Sequence, residues 1–386
     1  MSANGTACVI TGATVFDGDD FLEGHCVVLE GATITHVLPA AEAPAAVATC
    51  TLSGGVLAPG FIDLQVNGGG GVMLNNEPTS DAVLRIAAAH RACGTTSLLP
   101  TVMSDTPERQ RACVDAVRAA LDSGHPGIAG IHIEGPFFEP ARRGAHNANL
   151  IRSLESADVE WLGALDDLKV LLTLAPEHAS PAQLEQIAGG GTIISAGHTN
   201  ATYDQIKAAA DHGLSGVTHL YNAMSPSTGR QPGTVGAALD DDRLWVSVIA
   251  DGHHVHPANI RTAYRAKPGG MLLLVSDAMA TVGGSVNTFE LYDHQVTECD
   301  GRLINSEGVL AGSAIGLIDA VRFAHEVVGL PLAECLRMAS RYPAAALGLE
   351  HSLGRIAPGY RGDLVHFGED FSVQSTWLAG ERAMAL

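Results

Sequence analysis

Four residues whose side chains bind metals or carry protons each follow a short apolar segment of this sequence. They are Glu134, His198, His219 and Asp277. One carboxylate and two imidazoles form an ordinary ligand set for a catalytic metal, and they leave a tetrahedral ion one open position. A metal held in this way lowers the pKa of water and polarises a carbonyl group. Zn²⁺ suits mixed nitrogen and oxygen ligands best, with Fe²⁺ or another first-row divalent ion as the second choice.

Asp277 completes this set, because a carboxylate beside a metal takes a proton from water and delivers it to a leaving group. The four residues together therefore predict metal-assisted hydrolysis of an amide or an ester. A single histidine after a strand is more often a hydrogen-bonded structural residue. The prediction consequently depends on all four side chains meeting at one place in the fold.

Eight apolar segments alternate with amphipathic helical segments and supply that place. Near-continuous apolar segments are typical of strands buried on both faces, and eight of them alternating with helices predict a parallel (β/α)8 TIM barrel of the α/β class. A doubly wound sheet is the competing architecture. In a barrel the carboxyl ends of the strands share one mouth. The predicted strands cover residues 61–66, 96–100, 128–133, 170–174, 192–195, 216–219, 245–250 and 271–275.

Both ends of the chain have β character instead. Short β-rich segments cover residues 8–15, 25–29 and 33–38 at the start, and 354–356, 363–367 and 372–378 at the end. The final segments are too few for a sheet domain of their own, so we expect them to join the first ones. The expected organisation is a small β-sandwich domain from residues 1–57 and 351–386, and a metal-dependent hydrolase barrel from residues 58–350.

Charge and hydropathy exclude several classes of protein. The 386 residues include 22 Lys and Arg against 42 Asp and Glu, which gives a formal net charge of −20. A strongly acidic chain without a basic stretch is not expected to bind nucleic acid or an anionic membrane. No apolar run is long enough for a transmembrane helix, and the first residues lack a signal-peptide pattern. We therefore expect a cytoplasmic protein.

Eight short motifs of this sequence carry a family resemblance. They are PGFID at 59–63, HIEGP at 132–136, GAHN at 144–147, SAGHTNA at 195–201, THLYNAM at 218–224, IADGHHV at 249–255, LVSDA at 274–278 and LAGSA at 310–314. The first of them resembles the first-strand signature of the amidohydrolase superfamily. More narrowly, the motifs in this order resemble the N-acetylglucosamine-6-phosphate deacetylases, and that similarity extends from about residue 9 to the end of the chain.

The resemblance implies a reaction and a role for individual residues. The reaction is hydrolysis of N-acetyl-D-glucosamine 6-phosphate to D-glucosamine 6-phosphate and acetate in amino-sugar catabolism, carried out by a homodimer. One divalent metal would be bound by Glu134, His198 and His219, and Asp277 would be the general base and acid. His146 would bind the substrate and polarise its acetyl carbonyl.

Four further residues would contact the sugar phosphate according to the same resemblance. They are Asn222, Ala223, Arg230 and His254. In the family, the contact corresponding to Arg230 or His254 is sometimes made across a subunit interface. Arg230 is therefore the arginine whose loss we expect to raise KM most, because an arginine pairs with a phosphate in a bidentate manner.

The first strand indicates one metal rather than two. Many amidohydrolases carry His-x-His there for a second ion, whereas this chain has Gln65 and Asn67. Amides are poor ligands for transition metals compared with imidazoles. Lys169 lies at the start of the fourth strand, the wrong end for a bridging carboxylated lysine. These departures disfavour a cyclic-amide hydrolase of the dihydroorotase kind.

The sequence leaves two questions open: which sugar phosphate is the substrate, and whether the protein is an enzyme at all. N-acetylgalactosamine 6-phosphate differs from the implied substrate at one hydroxyl, and sequence reasoning does not distinguish the deacetylases of these two epimers. A metal-buffering or scaffold protein is the non-enzymatic interpretation, and it would not need Asp277.

Overall fold

The computed structural model describes residues 7–45 and 48–384, and its largest sheet is the expected barrel. Eight parallel strands are hydrogen-bonded in chain order. The sheet closes between its first and last strands, since Val66 forms a parallel bridge with Ala278 and the Asp277 amide donates to the Gln65 carbonyl at 3.0 Å. The strands are Phe61–Val66, Thr95–Val102, Ile131–Glu134, Val170–Leu174, Ile193–Ala196, Leu214–Val217, Trp245–Ile249 and Leu272–Val275.

Amphipathic helices cover the outside of the barrel and bury their apolar residues against it. The first of them buries Val83 and Ile86, and it begins after Thr79, whose side chain accepts a hydrogen bond from the amide of Ala82. Such an N-cap satisfies one of the free amides of the first turn. The helices are Ser80–Arg91, Pro107–Asp122, Ser156–Gly163, Pro181–Gly189, Tyr203–Ala210, Gly233–Asp240, Pro257–Ala266, Leu317–Glu326, Leu332–Ala339 and Arg341–Ala346.

The helix Gly233–Asp240 was not predicted from the sequence. It contains two glycines, and a glycine inside a helix disfavours it by about 1 kcal/mol relative to alanine. Burial of Val235, Ala237 and Ala238 against the barrel stabilises it nonetheless. None of the helices described is long and apolar enough to cross a membrane.

Two sheets form the small domain, and one of them combines strands from both chain ends, which confirms the expected sandwich. One sheet contains, in order, Thr33–Pro39, His25–Glu30, Ala7–Thr11 and Ala48–Thr51. The other contains Glu381–Met384, Val373–Leu378, Leu364–Phe367, Val56–Pro59, Thr14–Phe16 and Phe21–Leu22. Residues of both sheets share one apolar cluster that includes Ile10, Val27, Leu57 and Trp377. The strand Val56–Pro59 runs across the expected domain limit at 57/58.

Two details of the predicted small domain were wrong. The segment 8–15 is not one strand, because Gly12 adopts a φ of 91° and turns the chain from one sheet to the other. Residues 354–356 are not a strand at all. Gly354 has a φ of 84°, and the amide of Ile356 donates to the carbonyl of Asp17 in a loop contact instead.

A four-stranded antiparallel sheet follows the last barrel strand and was also not predicted. We call it the meander; its strands are Thr288–Leu291, His294–Cys299, Arg302–Asn305 and Leu310–Ser313. Many of its residues are polar and exposed, which obscures the alternating pattern of a strand. Its few buried apolar residues, among them Leu291, Val296 and Leu303, pack against Met103 and Met279. The meander therefore lies against the mouth of the barrel.

Candidate active site

A cavity of about 160 Å³ lies at the barrel mouth, where the carboxyl ends of the strands meet. Eight of the nine residues expected at the site line it, and Arg230 is the exception. The cavity is lined by Met103, Glu134, Gly144, Ala145, His146, His198, His219, Asn222, Ala223, Ile249, His254, Asp277, Met279, Leu310 and Gly312.

Glu134, His198 and His219 bring three ligand atoms together. Oε1 of Glu134 lies 3.2 Å from Nε2 of His219 and 3.4 Å from Nε2 of His198, and the two imidazole nitrogens are 3.0 Å apart. A tetrahedral Zn²⁺ with ligand bonds of about 2.0–2.1 Å separates its donor atoms by about 3.3–3.4 Å. The donor types and the spacings therefore fit one four-coordinate divalent ion.

The backbone at these residues is held in an uncommon conformation. His198, His219 and Asp277 have φ values of 49°, 37° and 52°. Residues other than glycine rarely adopt this left-handed backbone conformation. The backbone strain that it causes is concentrated at functional sites. The turn at the end of each strand thus aims the side chain into the cavity.

The hydrogen bond of His198 determines which of its nitrogens is free. Nδ1 lies 2.9 Å from the carbonyl oxygen of Arg142, which can only accept, so Nδ1 carries the proton. Nε2 is then left with a lone pair that points at Glu134 and His219. Phe138 stacks on the same ring with centroids 4.3 Å apart, which holds its orientation. A metal-ligating histidine is typically oriented in this way by its second nitrogen.

The two buried carboxylates of the site have opposite pKa shifts. Burial acts to raise the pKa of Glu134, but the adjacent imidazoles of His198 and His219 outweigh it and hold the pKa well below its ordinary value. Burial, followed by the negative charge of Glu134, raises the pKa of Asp277 to about 7. Glu134 is accordingly ionised as a metal ligand must be, whereas Asp277 can gain and lose a proton near neutral pH.

Two side-chain amides hold Asp277. Asn67 donates to its Oδ1 at 2.7 Å and Gln65 donates to the same oxygen at 3.0 Å. Both hydrogen bonds go to Oδ1, so Oδ2 remains available for proton transfer. Sequence reasoning did not identify Gln65 and Asn67 as hydrogen-bond donors to Asp277. Their spacing of two along the first strand could have indicated it, because that spacing places both side chains on the inner face of the strand.

His146 also lines the cavity and is buried. Its Nε2 is 3.8 Å from Oε2 of Glu134. Burial lowers the pKa of His146 to about 3, so the ring is neutral. Ser104, which sequence reasoning did not identify, contacts the other ring nitrogen through both its amide and its hydroxyl.

His254 provides positive charge at the cavity wall. Its Nδ1 lies 2.6 Å from Oδ2 of Asp251. Burial acts to lower the pKa of His254, but the hydrogen bond and the charge of Asp251 outweigh it and raise the pKa above its ordinary value. A histidine of this kind remains charged nearer to neutral pH and is suited to contact an anion.

Arg230 lies outside this cavity in its own chain. It is exposed and lines a second groove of about 410 Å³ together with Arg142, Asn200 and Thr202. Within residues 7–45 and 48–384, no hydrogen bond or ion pair to its guanidinium is present. Arg142 and Arg143 are half-buried, and their guanidinium groups contact Asn200 and the carbonyl of His146 respectively.

Comparison with known protein families agrees with this geometry. The sequence model of the amidohydrolase family matches residues 56–383. This chain belongs to the amidohydrolase family. Residues 9–57 additionally match the NagA composite domain, which corresponds to the N-terminal part of the small domain.

Relatives within the amidohydrolase family carry two related names. An N-acetylgalactosamine-6-phosphate deacetylase from Shewanella sp. (strain ANA-3) is 43% identical over 86% of this chain and 84% of its own length. An N-acetylglucosamine-6-phosphate deacetylase from Haemophilus influenzae is 34% identical over 94% of this chain and 95% of its own.

Solved amidohydrolase structures show the same fold. The N-acetylglucosamine-6-phosphate deacetylase from Pasteurella multocida has a TM-score of 0.95 and 36% identity, covering 98% of this chain and 100% of its own. A variant of the Mycobacterium smegmatis enzyme in complex with N-acetyl-D-glucosamine-6-phosphate has a TM-score of 0.91 and 33% identity, covering 98% and 99%.

Proposed function

We propose that this amidohydrolase hydrolyses N-acetyl-D-glucosamine 6-phosphate to D-glucosamine 6-phosphate and acetate, as a step of amino-sugar catabolism. The observation that carries the proposal is the convergence of Glu134, His198 and His219 beside Asp277 in one cavity. The names of the relatives from Haemophilus influenzae and Pasteurella multocida support the choice of substrate.

Glu134, His198 and His219 would hold one divalent ion, with Zn²⁺ as the first choice and Fe²⁺ or another divalent ion as the second. When bound, this ion would lower the pKa of water and polarise the acetyl carbonyl. The proposal of a single ion is supported by Gln65 and Asn67, whose amide groups donate to carboxylates at the position where many amidohydrolases carry histidines.

Asp277 would move the proton in this reaction. It accepts a proton from the water that attacks the acetyl carbon, and it returns the proton to the sugar nitrogen as the carbon–nitrogen bond breaks. Acetate and the free amine are then the products. A pKa near 7 suits both halves of this transfer at neutral pH. His146 would donate a hydrogen bond to the acetyl oxygen as its negative charge develops.

The sugar phosphate would be bound by Asn222, Ala223 and His254 of one chain and by Arg230 of the partner subunit. This assignment is supported by the exposed position of Arg230 outside its own cavity. It makes a homodimer the working unit. We also propose a cytoplasmic location, because a phosphorylated sugar does not cross a membrane unaided.

N-acetylgalactosamine 6-phosphate is the second candidate substrate, because the 43% identical relative from Shewanella carries that activity in its name. The two sugars differ only in the orientation of one hydroxyl. A site that hydrogen-bonds that hydroxyl in one epimer leaves polar groups unpaired with the other. Values of kcat/KM measured side by side on both epimers decide between them.

Acetate release from N-acetylglucosamine 6-phosphate by purified, metal-loaded protein tests the proposal directly. Unphosphorylated N-acetylglucosamine is the matched control, because it keeps the scissile bond and removes only the phosphate. We expect turnover of the phosphorylated sugar and a kcat/KM at least about 100-fold lower for the control, the loss typical of a charged group left unpaired. Absence of turnover on both phosphorylated epimers, with one ion bound per subunit, would contradict the proposal.

A further inference from the structure

We propose that Tyr292, on the meander, is a positioning residue for His146 and acts through Ser104. It keeps the imidazole in the tautomer whose Nε2–H group faces the cavity. This inference rests on the proposed function, in which that N–H group contacts the acetyl oxygen of the substrate. Tyr292 itself does not line the cavity.

The phenol hydroxyl of Tyr292 joins two segments that flank His146. It donates a hydrogen bond to the carbonyl oxygen of Ser104 at 2.8 Å, and it also interacts with the backbone of Asn147. Ser104 follows the second barrel strand, and Asn147 is adjacent to His146 in the chain. Tyr292 is half-buried and has a φ of 55°, an uncommon conformation that its packing against the barrel maintains.

Ser104 determines the position of the proton on the His146 ring. Its backbone amide lies 3.2 Å from Nδ1, and its hydroxyl lies 2.9 Å from the same atom. A backbone N–H group can only donate, so Nδ1 must accept and cannot carry a proton. The single proton of the neutral ring is then on Nε2.

That proton is directed toward the reaction. Nε2 of His146 lies 3.8 Å from Oε2 of Glu134, beside the cluster of proposed metal ligands. If the proton moved to Nδ1, Nε2 would present a lone pair to the acetyl oxygen and repel its developing charge. Electrostatic stabilisation of this kind requires a donor that is already oriented before the reaction begins.

Ser104 is held by contacts to both the barrel and the meander. Its hydroxyl lies close to Gly135, because a Cβ atom added to that glycine would be 2.4 Å from the hydroxyl oxygen. Its carbonyl is held by the hydrogen bond from Tyr292. Removal of the phenol hydroxyl therefore releases the Ser104 carbonyl and weakens the hold on the amide that faces His146.

The variant Tyr292→Phe tests the proposal, with Tyr360→Phe as its matched control. Tyr360 also donates to a backbone carbonyl, that of Glu350 at 2.8 Å, but it packs against the core of the small domain. We expect Tyr292→Phe to lower kcat about tenfold, the effect of one hydrogen bond, and to leave KM and the metal content unchanged. Tyr360→Phe should leave kcat unchanged.

Nitrogen-15 NMR of histidine-labelled, Zn²⁺-loaded protein gives a readout independent of turnover, with His146→Asn used to assign the signals. In the parent protein the Nδ1 signal of His146 should be that of an unprotonated nitrogen. In Tyr292→Phe this signal should shift toward that of a protonated nitrogen, or to an average over the two tautomers. An unchanged tautomer together with unchanged kcat would overturn the proposal, and so would a protonated Nδ1 in the parent protein.

Ser104→Ala and Ser104→Thr separate the contributions within the chain of contacts. Ser104→Ala keeps the backbone amide but loses the hydroxyl, so a smaller loss of kcat than in Tyr292→Phe is expected. Ser104→Thr retains both donors and should restore kcat relative to Ser104→Ala. If His146→Asn is fully active while the NMR result holds, the proposed role of His146 fails but the positioning by Tyr292 stands.

Discussion

The side-chain amide of Gln65 donates a hydrogen bond to Oδ1 of Asp277 at 3.0 Å and joins the first and last strands of the barrel at the active site. The same nitrogen donates to Oε1 of Glu134 at 2.8 Å. One neutral donor thus lies between a proposed metal ligand and the proposed proton carrier. The two carboxylates thus share one amide donor.

Replacement of Gln65 by leucine should therefore impair catalysis without changing the metal count. Leucine is similar in volume but donates no hydrogen bond, so two buried carboxylates lose their shared donor. We expect kcat to fall about 10- to 100-fold, in line with the loss of one hydrogen bond at each of two buried charged groups. Metal analysis should still find one ion per subunit. Gln295→Leu, at an exposed glutamine of the meander, is the control, and equal kcat values in both variants would contradict the assigned role.

Metal content and activity should respond differently to changes at Glu134 and Asp277. Glu134→Gln removes a charged ligand atom, so the bound metal measured by mass spectrometry should be lost together with activity. Asp277→Asn should retain the metal and lower kcat by about 10²- to 10⁴-fold, the usual contribution of a general base. If Asp277→Asn were silent, the chain would act as a metal-binding protein rather than as a hydrolase.

Asp63 should make the protein less stable as the pH rises. Burial raises its pKa from 3.8 to about 7, and its Oδ2 has no hydrogen-bond partner within the described residues. Between these two pH values the folded protein holds a proton that the unfolded chain has released. Stability from this group is therefore complete below about pH 4 and is lost as the pH rises to about 7.

Asp63→Asn isolates that effect, because the amide oxygen can still accept from the backbone amides of Gln65 and Ser276. The variant should be less sensitive to pH than the parent, by an amount on the order of 1–4 kcal/mol in the free energy of unfolding between about pH 5 and pH 8. Urea unfolding at both pH values measures it. Parallel pH profiles of the two proteins would show that Asp63 is ionised in the folded state.

The ion pair between His254 and Asp251 should set the pH range of phosphate binding. The raised pKa of His254 keeps its charge to a higher pH than an isolated histidine, and the charge is lost as the pH rises through that pKa. The substitution Asp251→Asn removes the negative charge that raises the pKa of His254. At about pH 7.5 we expect KM for the sugar phosphate to rise about tenfold, equivalent to one lost charge-assisted contact of about 1.4 kcal/mol.

The rise in KM should shrink when the same Asp251→Asn variant is assayed near pH 5, because burial without the Asp251 charge lowers the pKa of His254 and its proton returns only at lower pH. KM measured at both pH values for the parent protein and for Asp251→Asn tests whether the rise shrinks at the lower pH. A rise in KM that does not depend on pH would point to a structural role for Asp251 instead.

Mixed dimers test whether Arg230 acts across a subunit interface. Arg230→Ala and Asp277→Asn should each be nearly inactive alone at low substrate concentration. In a mixed dimer, one site has an intact Asp277 and receives the intact arginine from the other chain, so that site regains activity. Activity of the mixture well above the sum of the separate variants is the expected result, and simple additivity would show that Arg230 acts within its own chain.

Much of the fold followed from local pattern alone. Segments such as Val170–Leu174 are almost wholly apolar, and a strand covered on both faces explains them. The order of such segments and helices then determined the barrel, and the polar residues that follow them, such as His198 and His219, determined its mouth. These predictions needed no knowledge of distant contacts beyond the closure of the barrel itself.

Contacts between remote segments decided the rest. The meander escaped prediction because many of its strand residues are polar, and they are ordered by pairing with one another and by packing against Met103 and Met279. The hydrogen bond from Tyr292 to Ser104 joins residues 188 positions apart, and no spacing in the chain indicates it.

The amino-acid sequence by itself thus determined which residue types reach the barrel mouth. Only the tertiary structure decided which nitrogen of His146 and His198 carries a proton and which oxygen of Asp277 is free. The physical reason is that these hydrogen bonds depend on positions that distant segments reach only after folding.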